Sequence, residues 1–273
     1  MAASVSPVPI CSADEALSAL RRQADPVKAE GQRRYFKTGP GEYGEGDRFL
    51  GLTVPQVRVL ARACVALPPD AVAALLESPW HEARLLALHV LVRQYQRGGT
   101  VDRRRIHALY LGHTARINNW DLVDSSAEHI VGAHPGDRRT RLRGLARSAS
   151  VWERRIAMLA TLHGIRHGQY DEAIRVAGWL VQDDHDLIHK AVGWMLREVG
   201  KRDQAAEVRF LDQHAARMPR TMLRYAIERF PEPLRQHYLT ARDVATSATV
   251  APGRPAARRV AGRRATTRQQ RED

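Results

Sequence analysis

The sequence predicts an all-α chain built as a helical-repeat solenoid, a HEAT-like or ARM-like α-α superhelix with a basic concave face. Three observations lead there. Apolar residues recur at spacings of three and four along most of the chain, while period-two runs of β-branched residues are almost absent. Gly, Pro and Ser/Thr punctuation divides that pattern into about twelve helices of roughly 8 to 18 residues. A segment with matched residue types also returns at an almost constant interval.

In chain order, Ser12 before DEAL starts the first helix. The stretch RRYFKTGPGEYGEGDRFLGLTVPQVRVLAR follows, a long glycine-rich connection of a kind that is uncommon and often functional. Its GPGEYG at 39–44 matches GxGxxG in form, but no strand precedes it, and Pro40, Glu42 and Glu45 suit a phosphate cradle badly. Thr53 ahead of Pro55 opens the next helix, and Pro68-Pro69 opens the one carrying AVAALLES. Ser78-Pro79 precedes EARLLALHVLVRQYQ, which Gly98-Gly99 ends. After INNWDLVDSS comes the His134-Pro135-Gly136 break, then the periodic segments RRIAMLATLHGIRHG, LIHKAVGWMLREVG and TMLRYAIERF, with Pro231 as the last stop.

Stacking WHEARLLALHV, INNWDLVDSS, VWERRIAMLA, LIHKAVGWML and TMLRYAIERF puts Arg84, Trp120, Arg155, Lys190 and Arg224 in one column, at intervals of 36, 35, 35 and 34 residues. That interval suits helical-hairpin repeats, in which equivalent positions fall on one surface. The column one turn later reads Leu88, Asp124, Leu159, Trp194 and Glu228.

The chain carries 43 Lys plus Arg against 30 Asp plus Glu, a formal charge of +13, which makes a polyanion the first partner to consider. Seven arginines and two acids in the last twenty residues account for +5 of it, so +8 remains on the body. From about residue 245 the chain is rich in Ala, Arg, Pro, Gly and Thr and reads as a disordered basic tail. With only Cys11 and Cys64, no disulfide framework or zinc ribbon is indicated. No basic leader or long apolar run is present, so the expected protein is cytoplasmic, with no membrane contact.

His163 with His167 and His185 with His189 have ligand-like i, i+4 spacing, but neither pair has a nearby third ligand, so no metal is expected. INNWDLVDSSAEH is more unusual: Trp120 and Asp124 share a helix face inside a stripe otherwise occupied by cations. An indole offers a π-face to a cationic base, and a carboxylate offers opposite charge to a developing oxocarbenium ion. A capping or ion-paired Asp124 beside packing tryptophans is the competing explanation.

The runs YFKTGPGEYGEGDRFLGLTVPQVR, NNWDLVD, VWERRIAM, HKAVGWMLREVGKRD and MPRTMLRYAIERFP resemble, in order and over about residues 25–240, the DNA alkylation repair family of HEAT-like-repeat glycosylases. The resemblance implies stacked helical pairs around duplex DNA and hydrolysis of the N-glycosidic bond of cationic N3- and N7-alkylpurines, without cofactor or metal. It implies that Asp124 is the catalytic carboxylate, with Trp120 beside it and Trp194 as the other aromatic wall. Arg155, the second Arg of WERR, would meet the DNA backbone near the lesion, with Tyr35 as a further match; the column adds Lys190, Arg84 and Arg224 as expected DNA contacts. The glycine-rich insertion after Tyr35 departs from the shorter connection of the best-known members.

The expected organisation is an N-terminal helix and cap at 1–24, the repeat domain at 25–240 and the tail at 245–273, in a monomer. A non-catalytic nucleic-acid-binding module of the same architecture, with Asp124 structural, is the alternative, and a scaffold for acidic protein partners is a third class.

Overall fold

The computed structural model describes residues 10–249. The helices are α1 (Ala13–Arg21), α2 (Pro26–Tyr35), α3 (Val54–Ala63), α4 (Pro69–Leu76), α5 (His81–Arg97), α6 (Thr100–Gly112), α7 (Trp120–Asp124), α8 (Arg138–Ala146), α9 (Val151–Ala160), α10 (Leu162–Arg166), α11 (Asp171–Leu180), α12 (Asp186–Gly200), α13 (Gln204–His214), α14 (Arg220–Ala226) and α15 (Glu232–Thr249). Among the described residues the only extended pairing is an isolated parallel bridge between Arg48 and Trp80. None of the described helices is long and apolar enough to cross a membrane.

The expected start signals act through hydrogen bonds. Ser12 Oγ accepts the Glu15 N–H at 3.2 Å while the Glu15 carboxylate accepts the Ser12 N–H at 3.3 Å, a reciprocal cap. At α3, Gln56 Oε1 accepts the Thr53 N–H at 2.9 Å. Asp25, which periodicity does not single out, caps α2 by accepting the Val27 and Lys28 N–H groups at 3.1 Å.

Packing runs between sequence-adjacent repeats. One row of mutually touching helices is α3, α5, α7, α9, α12 and α14, and α4, α8, α11 and α13 pack behind it. This is the helical-repeat arrangement that the 35-residue interval predicts. His81 through Val92 are all buried, so α5 is covered on every side up to Val92, and its last turn emerges at the surface.

Three segments read as single helices are interrupted. RRIAMLATLHGIRHG divides into α9 and α10 at Thr161, whose hydroxyl donates back to the Met158 carbonyl at 2.7 Å, a local bond that bends a helix. After α7 the chain turns at Ser125 and Ser126 and continues as a π-helical turn, Glu128–Gly132; the Ser126 hydroxyl donates to Leu122 O at 2.6 Å. TMLRYAIERF ends α14 at Ala226 and finishes as a 3₁₀ turn. At the far end α15 carries the chain to Thr249, and residues 250–273 of the expected tail lie outside the described residues.

Candidate active site

Asp124 stands at the last position of α7, one turn from Trp120. Ser126 breaks the helix two residues later, so the carboxylate sits at an end rather than in a continuous helix. Both its oxygens accept from Arg155 of α9, Nε to Oδ1 and Nη2 to Oδ2, each at 2.8 Å. Arg155 also donates through Nη1 to the Leu187 carbonyl at the start of α12, at 2.6 Å. One guanidinium thereby ties three helices, and the two-pronged geometry is satisfied by the ionised carboxylate. Burial pushes the Asp124 pKa above the ordinary carboxylate value, and the charge of Arg155 acts in the opposite direction.

Arg155 is 5% exposed, with donors directed to Asp124 and Leu187, and it also lines the cleft beside Trp120, so it holds the carboxylate from the wall of that cleft.

Trp120 begins α7 and ends a stack of rings. It lies 5.2 Å from Phe36 at 21°, Phe36 lies 5.0 Å from Phe49 at 17°, and Phe49 lies 4.5 Å from the His81 ring at 22°. Tyr35 meets Trp120 edge-on at 5.9 Å and is 66% exposed, which leaves its phenol ring free for a ligand. Across from Trp120 stands half-buried Trp194, its indole N–H donating to Glu198 at 3.3 Å. A Cβ on Gly193 would fall 2.4 Å from the Met222 carbonyl, so only glycine lets α12 and α14 approach closely enough to set Tyr225 beside Trp194. Between these rings is a cleft of about 350 Å³, which Lys190 and Arg197 also line. Lys190 is half-exposed and paired with Asp186 at 2.7 Å.

Behind the ring stack is a buried charge cluster. His81 Nδ1 lies 2.8 Å from Asp47 Oδ2 and Nε2 lies 2.8 Å from Asp121 Oδ2. Burial disfavours a charged imidazole, yet the two carboxylates outweigh it and raise the pKa to about 9. Asp47 is held below its usual value because His81 and Arg84 together exceed the cost of its burial. The cluster clamps the glycine-rich segment to α5 and α7.

Arg84 belongs to this cluster, and its expected DNA contact is therefore corrected: it is 3% exposed and donates to Asp47 and, at 3.0 Å, to Ser78 O. The repeat register brought it to the right helix, but α5 is buried all round at this level, so that column position points inward. Of the five column residues, Trp120, Arg155 and Lys190 meet at the cleft; Arg224 is exposed on α14 but is not among the residues lining it, its neighbour Tyr225 being there instead.

A second cationic surface lies on the same row of helices. Arg58 and Arg62 are one turn apart on α3, and Arg93 and Arg97 one turn apart on α5; none has a carboxylate partner among the described residues. Burial and then the charges of Arg62, Arg97 and Arg58 depress the Arg93 pKa. His89 stands one turn before Arg93 on α5, and burial followed by the charges of Arg58 and Arg93 drives its pKa down to about 4.

The histidine pairs have local partners. His185 Nδ1 accepts the Leu187 N–H at 3.1 Å, His189 bonds to the Asp183 carbonyl, and the His163 and His167 rings touch at 4.4 Å. Periodicity does not identify Tyr43, Arg197 or Tyr225, which line the cleft, nor Phe36 in the ring stack. For Tyr43 the available signal is the GPGEYG stretch, where an aromatic sits inside a long connection.

Residues 16–230 match the sequence profile of the DNA alkylation repair enzyme family. The chain belongs to that family. A solved structure described as a predicted DNA alkylation repair enzyme from Enterococcus faecalis superposes with a TM-score of 0.59 at 16% identity, covering 77% of this chain and 97% of that one. At that identity the likeness concerns the fold. No curated protein matches the chain in sequence. As a DNA alkylation repair family member, the chain has DNA as its partner.

Proposed function

We propose that the protein is a DNA glycosylase that releases cationic N3- and N7-alkylpurines, 3-methyladenine and 7-methylguanine among them, from duplex DNA. One observation carries the reading: a fixed carboxylate, Asp124, one turn from Trp120 and gripped by Arg155, both of which line a cleft walled by aromatic rings. Alkylation at N3 or N7 already places positive charge on the purine, so the base leaves without needing protonation. The bond from C1′ to the base nitrogen breaks, its electron pair neutralises the base, and positive charge develops on the sugar. Asp124 stabilises that charge more than the ground state, and Trp120 and Trp194 offer π-faces to the cationic lesion. Water then bonds to C1′ and loses a proton, for which Asp124 is an acceptor, leaving a free alkylpurine and an abasic site.

The arginines of α3 and α5, with Lys190 and Arg224, supply the cations that hold the phosphate backbone. Incubating the protein with duplex methylated at N7 and N3 and quantifying free bases tests the reading. Release above the spontaneous rate supports it, and binding without release refutes it.

One observation favours a second reading. A carboxylate fully engaged by Arg155 is also what a structural ion pair looks like, and a module that binds DNA without cleaving the glycosidic bond would retain it. In that case Asp124→Asn alters stability and no base is released by either protein.

A further inference from the structure

The glycine-rich segment between α2 and α3 stands outside the helical repeat, yet it is tightly attached to α5. Asp47 reaches His81 and Arg84. Three residues later the Glu82 carboxylate accepts the Leu50, Gly51 and Leu52 N–H groups at 2.9, 2.8 and 3.1 Å. Asp47 and Glu82 are both buried, so the two anchors are interior. His81 has a carboxylate at each ring nitrogen, and ionised carboxylates only accept, so both nitrogens carry protons and the ring is a cation. With Arg84 this makes two buried cations against two carboxylates, Asp47 and Asp121.

Three links run from this balanced cluster to Trp120. Asn119 donates through Nδ2 to Asp47 Oδ2 at 3.4 Å, and its own Oδ1 accepts the Trp120 N–H at 2.9 Å. On the other side of Trp120, Asp121 is held by His81 at 2.8 Å and accepts the Leu122 N–H at 2.9 Å. Trp120 is thus flanked in the chain by two residues that the cluster holds. The third link is the ring stack, in which Phe49 of the same segment connects the His81 ring, through Phe36, to the Trp120 indole. Gly44 lets the segment close on this junction: a Cβ there would fall 2.4 Å from the Phe36 carbonyl and 3.4 Å from Asn119 Nδ2.

From this geometry we infer that Asp47 is a positioning residue, through which the inserted segment fixes the orientation of Trp120 so that the indole presents its face to the cationic base. Asp47 does not line the cleft and acts only through Asn119, His81 and the ring stack. The inference rests on the recognition of a cationic lesion by Trp120 proposed above. A cation–π contact weakens when the ring turns away or samples several orientations, whereas phosphate contacts along the helix row do not depend on that ring. Disturbing Asp47 should therefore reduce the preference for alkylated over unmodified duplex and leave the affinity for unmodified duplex unchanged.

The test compares wild type with Asp47→Asn and Asn119→Ala. Asp47→Asn keeps the shape and removes the charge. Asn119→Ala leaves all four buried charges in place and cuts the side-chain link to Trp120, so it decides the matter if the first variant fails to fold. Leu20→Ala, which truncates a buried residue of α1 away from the cleft, is the control for lost stability alone. All measurements are made below the melting transition of each variant. The Trp120 indole N–H resonance, assigned by its absence in Trp120→Phe, reports the surroundings of the ring. Equilibrium affinity is measured for an unmodified duplex and for one with a single 7-methyl-2′-fluoro-2′-deoxyguanosine, whose fluorine disfavours the sugar cation and keeps the base attached. Asp47→Asn and Asn119→Ala should move or broaden the Trp120 resonance and lower the ratio of methylated to unmodified affinity by about threefold to tenfold, the scale of one cation–π contact, while Leu20→Ala changes neither. An unchanged resonance or an unchanged ratio in both variants overturns the proposal, as does an equal change in Leu20→Ala. If wild type shows no preference for the methylated duplex, the recognition reading fails by itself, and the Trp120 resonance still decides whether Asp47 positions the ring.

Discussion

Two histidines of α5 stand at opposite extremes of titration. His81 carries its proton to about pH 9 because Asp47 and Asp121 flank it. His89, and His107 on α6, are driven down to about 4 by burial, with neighbouring charges adding to the effect. For His81 the folded value exceeds the unfolded one, so its stabilisation is fully present below about pH 6.5 and lost as pH rises through 9. For His89 and His107 the folded value is depressed, so their contribution is present above about 6.5 and lost as pH falls toward 4. Melting temperature against pH should show a plateau with a fall on each side. His81→Gln should remove the alkaline loss while lowering the plateau, since Asp47 and Asp121 lose the cation between them. A variant with the wild-type alkaline limb would mean that His81 is not the group responsible.

At the scale of elements, Arg155 joins α7, α9 and α12. Removing it leaves Asp124 buried without its partner, so Arg155→Ala should destabilise the fold by about 3–5 kcal/mol in denaturant unfolding. Gly193→Ala should push α12 from α14 and cost about 1–3 kcal/mol, with a shift in Trp194 fluorescence as the local readout; a neutral effect would mean the helices can separate freely.

The elements themselves were largely legible, since Ser12, Thr53 and the proline and glycine breaks act through local hydrogen bonds that residue types reveal. The interruptions at Thr161 and Ser126 were not, because their hydroxyls act on helices whose apolar spacing continues unbroken. The site was legible where it depends on helical register, which set Trp120 one turn from Asp124 and Trp194 in the matching column. It was not legible where contacts span long separations: Asp47 meets Arg84 across 37 positions, and no periodicity encodes that. Repeat alignment gives the helix face of a residue but not whether the neighbouring repeat covers it, which is why Arg84 is an interior group.

For the whole molecule, the formal charge of +13 acquires a location. Arg58, Arg62, Arg93 and Arg97 lack acidic partners among the described residues and cluster on α3 and α5, so they suit backbone phosphates. Replacing all four by Ala should reduce the slope of log affinity against log salt by roughly 0.9 for each phosphate that is no longer neutralised. Excision at saturating protein should stay near the wild-type rate, because none of the four touches the cleft. A slope identical to wild type would move the DNA track to another face.

The central claim is that Asp124 stabilises the developing sugar cation. Single-turnover excision of 7-methylguanine from duplex DNA by wild type and Asp124→Asn, at protein concentrations that saturate both and with melting curves confirming that both are folded, tests it most directly. The amide keeps the shape and removes the charge, so the rate should fall by about one to three powers of ten while duplex affinity holds or tightens. Excision by Asp124→Asn at the wild-type rate would contradict the account.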